Sequence, residues 1–234
     1  MPWLVHAYTA SSVVFALLAL RAAVAGDERT AFAWLAAAVI VDATDGALAR
    51  AARVKERLPH VDGARLDDII DYLTFVFVPL YLIEHEGRLP GSGVGLTLVC
   101  AALLASAYGF SREDAKTPDH FFTGFPSYWN IVALYLVAMR TSAWTNAVIL
   151  AVLTALVFVP VGYVYPSRTP TLRRTTLALG TLWGAAMLLV IWQLPEPDPR
   201  LVYGSLAFPV YYTVASLVLQ ARRQPRSTSA GGAA

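Results

Sequence analysis

The stretch VDATDGALARAARVKERLPHVDGARLDDIIDYLTFVFV, residues 41–78, repeatedly sets Asp against or inside runs of Ala, Val, Ile, Leu and Phe. An ionised Asp near the hydrocarbon core of a membrane costs about 2.5–3.5 kcal/mol, even on the lenient insertion scale. That cost calls for a partner or a water-filled cavity, and it makes a functional role the first interpretation. The interpretation depends on whether the rest of the chain lies in a membrane.

The whole chain is strongly apolar. Its 234 residues are 57% hydrophobic and 15% charged, with a mean hydropathy of +0.54. Soluble globular proteins carry about 25% charged residues. The composition therefore predicts a polytopic membrane protein, with the bilayer as its main partner and no nucleic acid.

Eight membrane-spanning helices are predicted. Six uncharged stretches reach the roughly 20 residues that a span needs: 2–20, 91–110, 121–139, 141–167, 175–195 and 201–221. Two shorter apolar runs, 30–41 and 72–83, reach that length only if the first continues through Asp42 and Asp45 to Ala49 and the second starts at Leu66. The fold class is then all-α, with one eight-helix transmembrane domain over residues 1–222 and a disordered basic tail over 223–234.

The distribution of Lys and Arg predicts the orientation. Thirteen of the 18 basic residues fall on the side that holds the loop 50–65 and the C-terminal tail. Positive residues favour the cytoplasm, so we expect both termini and the Asp-bearing loop there. Ala23-Val24-Ala25 resembles a signal-peptide cleavage site, but the preceding segment has no positive start, so we expect it to remain as a span.

The Asp residues form pairs with helical spacing. Asp42 and Asp45 are three positions apart, and Asp67 and Asp71 are four apart, so each pair projects from one helix face. Four carboxylates around one point repel unless cations hold them, and two hard divalent ions, Mg²⁺ or Mn²⁺, suit such a set. The alternative interpretation is that Asp67 or Asp68 caps a helix start.

Small and basic residues flank these pairs. Gly46, Ala49 and Gly63 would let a bulky ligand approach the backbone, and Arg50 offers a planar cationic fork for phosphate. The alternative is that Gly46 and Ala49 are packing contacts between membrane helices.

The complete pattern resembles a known signature. With twelve residues between its halves, it reads Asp42-x-x-Asp45-Gly46-x-x-Ala49-Arg50, then Gly63-x-x-x-Asp67-x-x-x-Asp71. This is similar to the motif of the CDP-alcohol phosphotransferases, a family of integral membrane enzymes. The long gap, the eight spans and the stretches RLDDIIDYLTFVFVP and GFPSYWNIVALYL resemble its bacterial choline-using branch.

The resemblance implies a reaction and a role for each motif residue. CDP-diacylglycerol and choline would give phosphatidylcholine and CMP in the bacterial inner membrane, and a homodimer is possible. Asp42, Asp45, Asp67 and Asp71 would bind two divalent cations, and Asp71 would act as general base. The nucleotide and diphosphate would be bound by a set that shares two of these carboxylates: Gly46, Ala49, Arg50, Gly63, Asp45 and Asp67.

Choline would need an aromatic site, because a quaternary ammonium is recognised by aromatic faces. Of the aromatic residues near the predicted cytoplasmic side, Tyr72, Tyr128 and Trp129 are the candidates. The alternative is an ordinary interfacial belt of Tyr and Trp.

Two polar features lie outside the motif. His6, in the first span, is expected to hydrogen-bond a neighbouring helix, with a proton carrier as the alternative. Glu84, His85 and Glu86 are expected to be solvated residues of a loop on the opposite side.

Two other functions remain open. The acceptor could be serine, inositol phosphate or glycerol phosphate, and Arg112, Arg168, Arg173 and Arg174 offer cationic ligands for a phosphorylated one. The chain could instead be a cation transporter that uses intramembrane Asp residues. Against a transporter, the carboxylates gather at one end of two helices, with no polar track across the other spans.

Overall fold

The computed structural model describes residues 1–112, 121–164 and 172–223. Arg168, considered above as a cationic ligand for a phosphorylated acceptor, lies outside these ranges. So does the predicted tail, apart from Arg223, which ends the last helix.

Helices make up nearly all of the described chain. They are α1 Pro2–Val24, α2 Glu28–Ala51, α3 Val54–Arg57, α4 Gly63–Asp71, α5 Val78–His85, α6 Val94–Ser111, α7 Trp129–Ala138, α8 Ala143–Leu156, α9 Arg173–Gln193, α10 Pro199–Ser205 and α11 Ala207–Arg223. A π-helical segment, Tyr72–Phe77, joins α4 to α5 without a break. Two three-residue strands, β1 Phe121–Thr123 and β2 Gly162–Val164, pair antiparallel.

Side-chain caps start several of these helices. Asp27 accepts from the backbone N–H of Thr30 at the start of α2, and Ser142 accepts from that of Thr145 at the start of α8. Such caps satisfy N–H groups that have no partner inside the helix. They therefore fix where a polar turn gives way to an apolar helix.

Five helical segments of the described chain are long and apolar enough to cross a membrane: Pro2–Val24, Glu28–Ala51, Val94–Ser111, Arg173–Gln193 and Pro199–Ala221. The chain is thus a multi-pass, predominantly helical membrane protein. The helix with Asp42 and Asp45 spans its full predicted length. The other Asp-bearing helix begins at Gly63, three residues before the predicted Leu66, and continues through the π segment to His85.

The structure differs from the sequence prediction in two spans, so it does not support a count of eight by length. Over the described residues of the segments predicted at 121–139 and 141–167, the chain is helical only as α7 and α8, of 10 and 14 residues. Gly124 explains the shortening of the first. It has φ +85°, and a Cβ there would lie 2.3 Å from the carbonyl oxygen of Val157. Only glycine permits that approach, and no helix forms between Gly124 and the start of α7.

The helices that carry the Asp residues are held by α1. It packs along α2 as an antiparallel hairpin and also contacts α4 and α5. The largest fully buried side chains include Trp129, Phe32 and Leu80, which belong to one hydrophobic core. At the far end, Arg29 donates through Nε to the carbonyl oxygen of Leu194, 2.9 Å away, and links α2 to the end of α9.

An ionic cluster lies at the end of the bundle opposite the motif Asp residues. Glu86, predicted to be solvated, is only 9% exposed at its side chain, so that prediction is wrong. Arg88 Nε lies 3.5 Å from Glu86 Oε2, and its Nη2 donates to Glu28 Oε1. Asn146 Nδ2 donates to the Arg88 carbonyl oxygen at 2.7 Å. Burial, and then the neighbouring Glu28, raise the pKa of Glu86 to about 8, with Arg88 opposing the rise.

This raised pKa predicts that the protein loses stability as the pH rises. Between the ordinary value of 4.5 and about 8, Glu86 keeps its proton only in the folded state. The unfolded chain then binds fewer protons, so the free energy of unfolding falls across this window. We expect the thermal midpoint in detergent to drop by about 2–4 °C or more from pH 5 to pH 9.

Glu86→Gln provides the matched comparison, because its neutral amide resembles the protonated acid. In Glu86→Gln the thermal midpoint should fall much less from pH 5 to pH 9. In Glu84→Gln, two residues earlier in the chain, it should fall as it does in the wild type. Equal drops in wild type and Glu86→Gln would contradict this origin of the pH dependence.

Candidate active site

Two helix ends bring the acidic residues together. Asp42 and Asp45 lie in the second half of α2, and Asp67 and Asp71 lie on α4. The N-cap of α4 is Asp62, whose carboxylate accepts from the N–H groups of Ala64 and Arg65 at 3.1 Å. The capping role considered for Asp67 or Asp68 is therefore wrong, because both lie at least one turn inside the helix.

Three carboxylates meet across the two helices. Oxygens of Asp42, Asp67 and Asp71 all lie within 4.8 Å of one another, and each residue is half-buried. Three negative charges at this spacing repel one another strongly in a partly buried site. Oxygen ligands of this kind suit Mg²⁺ and Mn²⁺, so the donor set fits a divalent ion.

The fourth predicted carboxylate lies beside this triplet and has another contact. Asp45 is 8% exposed, and its Oδ2 accepts a 2.7 Å hydrogen bond from Thr9 Oγ1 of α1. One residue away along both helices, the hydroxyls of Tyr8 and Thr44 share a hydrogen bond of 2.8 Å. The structure thus brings three of the four Asp residues together and holds the fourth against α1.

Arg50 folds back along α2 towards the carboxylates. Its Nη1 lies 3.4 Å from the position that a Cβ would occupy at Gly46. Ala49 is half-buried on the same helix end, and Arg50 itself is exposed. The absence of a side chain at Gly46 therefore gives the guanidinium room beside the backbone, one turn from Asp42.

Gly63 lies against a residue that the motif does not include. A Cβ at Gly63 would be 3.1 Å from His6 Cε1 and 3.7 Å from His6 Nδ1. His6 is 9% exposed, and its buried Nε2 has no hydrogen-bond partner among the described residues. Nε2 therefore does not make the hydrogen bond that was predicted between His6 and a neighbouring helix, within the described residues.

The sequence motif missed the contribution of α1. His6, Thr9 and Ser12 are spaced by three residues and are all buried, in a helix that is otherwise largely apolar. Three polar residues at helical spacing in a membrane span form a recognisable signal. It predicts a polar face, although it does not say which helix meets that face.

The aromatic candidates lie in different surroundings. Tyr72 donates through its hydroxyl to the Leu103 carbonyl oxygen at 3.0 Å, and its ring meets that of Phe110 edge-on. The ring of Tyr128, which is half-buried, lies 6.2 Å from that of Phe75. Trp129 is 1% exposed.

The indole N–H of Trp129 donates to Ser106 Oγ at 2.8 Å, which makes Trp129 part of the core. Of the three candidates, Tyr72 directly follows Asp71 and is therefore the one that the backbone places beside the triplet.

Comparisons with known proteins cover nearly the full chain. The chain is 38% identical to the phosphatidylcholine synthase of Legionella pneumophila over 221 residues, 92% of this chain and 86% of that protein. It is 38% identical to the phosphatidylcholine synthase of Pseudomonas aeruginosa over 220 residues, 94% and 92% of the two chains. A phosphatidylcholine synthase of Borreliella burgdorferi is 34% identical over 76% of each chain. No protein-family model matches the chain.

Proposed function

The chain belongs to the bacterial phosphatidylcholine synthases, and from that membership we propose how its own residues carry out the reaction. The enzyme transfers the phosphatidyl group of CDP-diacylglycerol to the hydroxyl of choline and releases CMP. The observation that carries this function is identity to such enzymes over more than nine tenths of the chain. The triplet of Asp42, Asp67 and Asp71 supplies the chemistry.

The triplet is our proposed metal site. Asp42, Asp67 and Asp71 would hold a divalent ion, and Asp45, one turn along α2, would complete the ligands of a second. When bound, Mn²⁺ or Mg²⁺ would neutralise the diphosphate and stabilise the departing CMP. The half-burial of all three residues supports the assignment, because carboxylates so close together need compensating positive charge.

Asp71 is the proposed general base. The hydroxyl of choline is a poor nucleophile at neutral pH, so a carboxylate within reach must accept its proton. Asp71 takes that proton while the choline oxygen forms a bond to the phosphorus of the phosphatidyl group. The bond from that phosphorus to the bridging oxygen of the diphosphate breaks, and CMP leaves with this oxygen.

The nucleotide end of the substrate is assigned to the flanking small and basic residues. Arg50 offers five N–H donors beside Gly46, in a geometry that suits phosphate oxygens. Ala49 and Gly63 keep the neighbouring backbone open, and Asp45 and Asp67 border the same space.

Topology and assembly remain part of this proposal. The continuous helix of α4, the π segment and α5, together with α7 and α8, would complete eight crossings beside the five long helices. The basic loop after α2 supports a site that faces the cytoplasm. A homodimer is a further prediction of the family resemblance.

Choline recognition is proposed for Tyr72 and Tyr128, with Trp129 holding Tyr128 from the core. We expect Tyr72→Ala and Tyr128→Ala to raise the KM for choline about tenfold, because each removes an aromatic face. The KM for CDP-diacylglycerol should stay within about twofold. Tyr72→Phe loses the hydroxyl bond to Leu103 but keeps the ring, so it should retain most of the choline affinity. Equal effects of the Ala variants on both KM values would contradict this choline site.

The function is tested by CMP release from purified protein in detergent. CDP-diacylglycerol and Mn²⁺ are supplied, and choline, serine, inositol phosphate and glycerol 3-phosphate are offered separately. Release that depends on choline supports the proposed enzyme. Release that depends only on another alcohol would show that this alcohol, and not choline, is the acceptor. No release of CMP with any of the four alcohols would favour the transporter alternative.

A further inference from the structure

The polar face of α1 places three buried polar side chains against the active-site helices. They are His6, Thr9 and Ser12, each 9% exposed or less. Burying polar groups inside a membrane helix is costly unless they are hydrogen-bonded. Thr9 is explained by its hydrogen bond to Asp45. His6 has no such explanation within the described structure, and the mechanism above does not use it.

The pairing of α1 with α2 shows which part of the motif His6 faces. Thr9 meets Asp45, and Tyr8 meets Thr44, in a hairpin whose helices run in opposite directions. Moving back from Thr9 to His6 on α1 therefore corresponds to moving forward from Asp45 on α2. His6 is thus level with the turn of α2 between Gly46 and Ala49.

On the other side, the imidazole lies at the start of α4. Its Cε1 is 3.1 Å from the Cβ position of Gly63. Nδ1 is the ring nitrogen nearer to that position, at 3.7 Å, and the unpartnered Nε2 lies on the other side of Cε1, one bond farther from the glycine. From Gly63 to Asp71 the helix rises by about 12 Å. His6 therefore borders the end of the site away from the proposed base.

These positions single out one part of the substrate. The reacting phosphorus must lie within reach of Asp71, and the diphosphate must lie near the triplet. The nucleoside extends from the diphosphate on the side away from the lipid, and it carries hydrogen-bonding groups on its base and ribose. A quaternary ammonium offers no hydrogen bond to an imidazole nitrogen, so choline does not match His6.

We propose that His6 is a substrate-binding residue whose Nε2 hydrogen-bonds the cytidine of the CDP-linked substrate between α1 and Gly63. This inference rests on the proposed function, which places the nucleotide beside Gly63. It adds a first-helix contact to a site otherwise built from α2 and α4. It also gives Gly63 a physical role, because a methyl group there would press on the imidazole.

The test measures binding of CMP to purified protein by calorimetry in the presence of Mn²⁺, alongside the two KM values and the thermal midpoint. We expect His6→Ala to weaken CMP binding about tenfold, the loss of one good hydrogen bond. His6→Ala should also raise the KM for CDP-diacylglycerol by a similar factor, and it should leave the KM for choline within about twofold of the wild-type value. His6→Gln, whose amide nitrogen reaches about as far as Nε2, should recover most of the affinity.

Ser12→Ala is the matched control, because Ser12 shares the polar face and has a buried hydroxyl without a partner. It should leave CMP binding unchanged. Unchanged CMP binding in His6→Ala would overturn the inference, as would equal rises in both KM values with a lower thermal midpoint. Wild-type protein that binds no CMP would also overturn it. A wild-type protein that binds CMP but releases none with choline would instead refute the proposed function.

Discussion

Asp71→Asn is expected to abolish choline-dependent CMP release, with a loss of at least about 10³-fold. A positioned general base contributes about 10²–10⁴-fold on its own, and asparagine cannot accept the proton of choline. The substitution also removes one of the three carboxylates that lie within 4.8 Å of one another. Both losses act on the chemical step, so kcat should fall far more than either KM changes.

The neighbouring Asp68 provides a control of the same chemistry. It lies on α4 but outside the triplet, so Asp68→Asn should retain activity within a few-fold. Mn²⁺ titration of Asp71→Asn separates the loss of the general base from the loss of a metal ligand. If enough Mn²⁺ to saturate the variant restores release, Asp71 is a metal ligand and some other group is the base.

Removal of the metal is expected to have an effect of similar size. A chelator should stop CMP release, and added Mn²⁺ or Mg²⁺ should restore it, because the triplet is a set of hard oxygen ligands. Asp42→Asn removes the only contribution of α2 to the triplet. We expect it to raise the Mn²⁺ concentration that gives half-maximal activity by at least about tenfold, the lower end of the loss seen on changing even outer partners of a metal site.

Asp45→Asn provides the comparison that the structure makes possible. Asp45 is held by Thr9 and lies outside the triplet, so Mn²⁺ binding to the substrate-free protein should weaken less than in Asp42→Asn. Electron paramagnetic resonance of Mn²⁺ measures this directly. A larger loss in Asp45→Asn would show that Asp45, and not Asp42, anchors the first ion.

Local spacing in the sequence predicted that four carboxylates meet, and in the structure three of the four do so. Asp42, Asp67 and Asp71 are related by helical periods and by one loop, so a pattern over 30 residues brings them to one end of two helices. The position of Asp45 against α1 could not be predicted from such spacing. It depends on the antiparallel register of α1 and α2, which a short-range pattern does not contain.

Hydropathy also overestimated the length of two helices, α7 and α8, for an identifiable reason. Apolar residues are common both in membrane helices and in extended segments packed inside a bundle, and a hydropathy window does not separate them. The informative signal was local: Gly124 and Pro126 break the segment before α7. The burial of Glu86 was missed because Glu28, at the start of α2, is brought beside it only by the fold.

The π-helical segment Tyr72–Phe77 sets the rotational phase between the two halves of one continuous helix. Asp67 and Asp71 precede it, and Val78, Leu80 and Leu82 follow it as core residues. Each residue turns an α-helix by about 100°, so a single deletion or insertion here would turn either the carboxylates or the core face away from its partners. The length of this segment is therefore under as strict a constraint as the identity of the neighbouring carboxylates, and variation in length should concentrate in the surface turns.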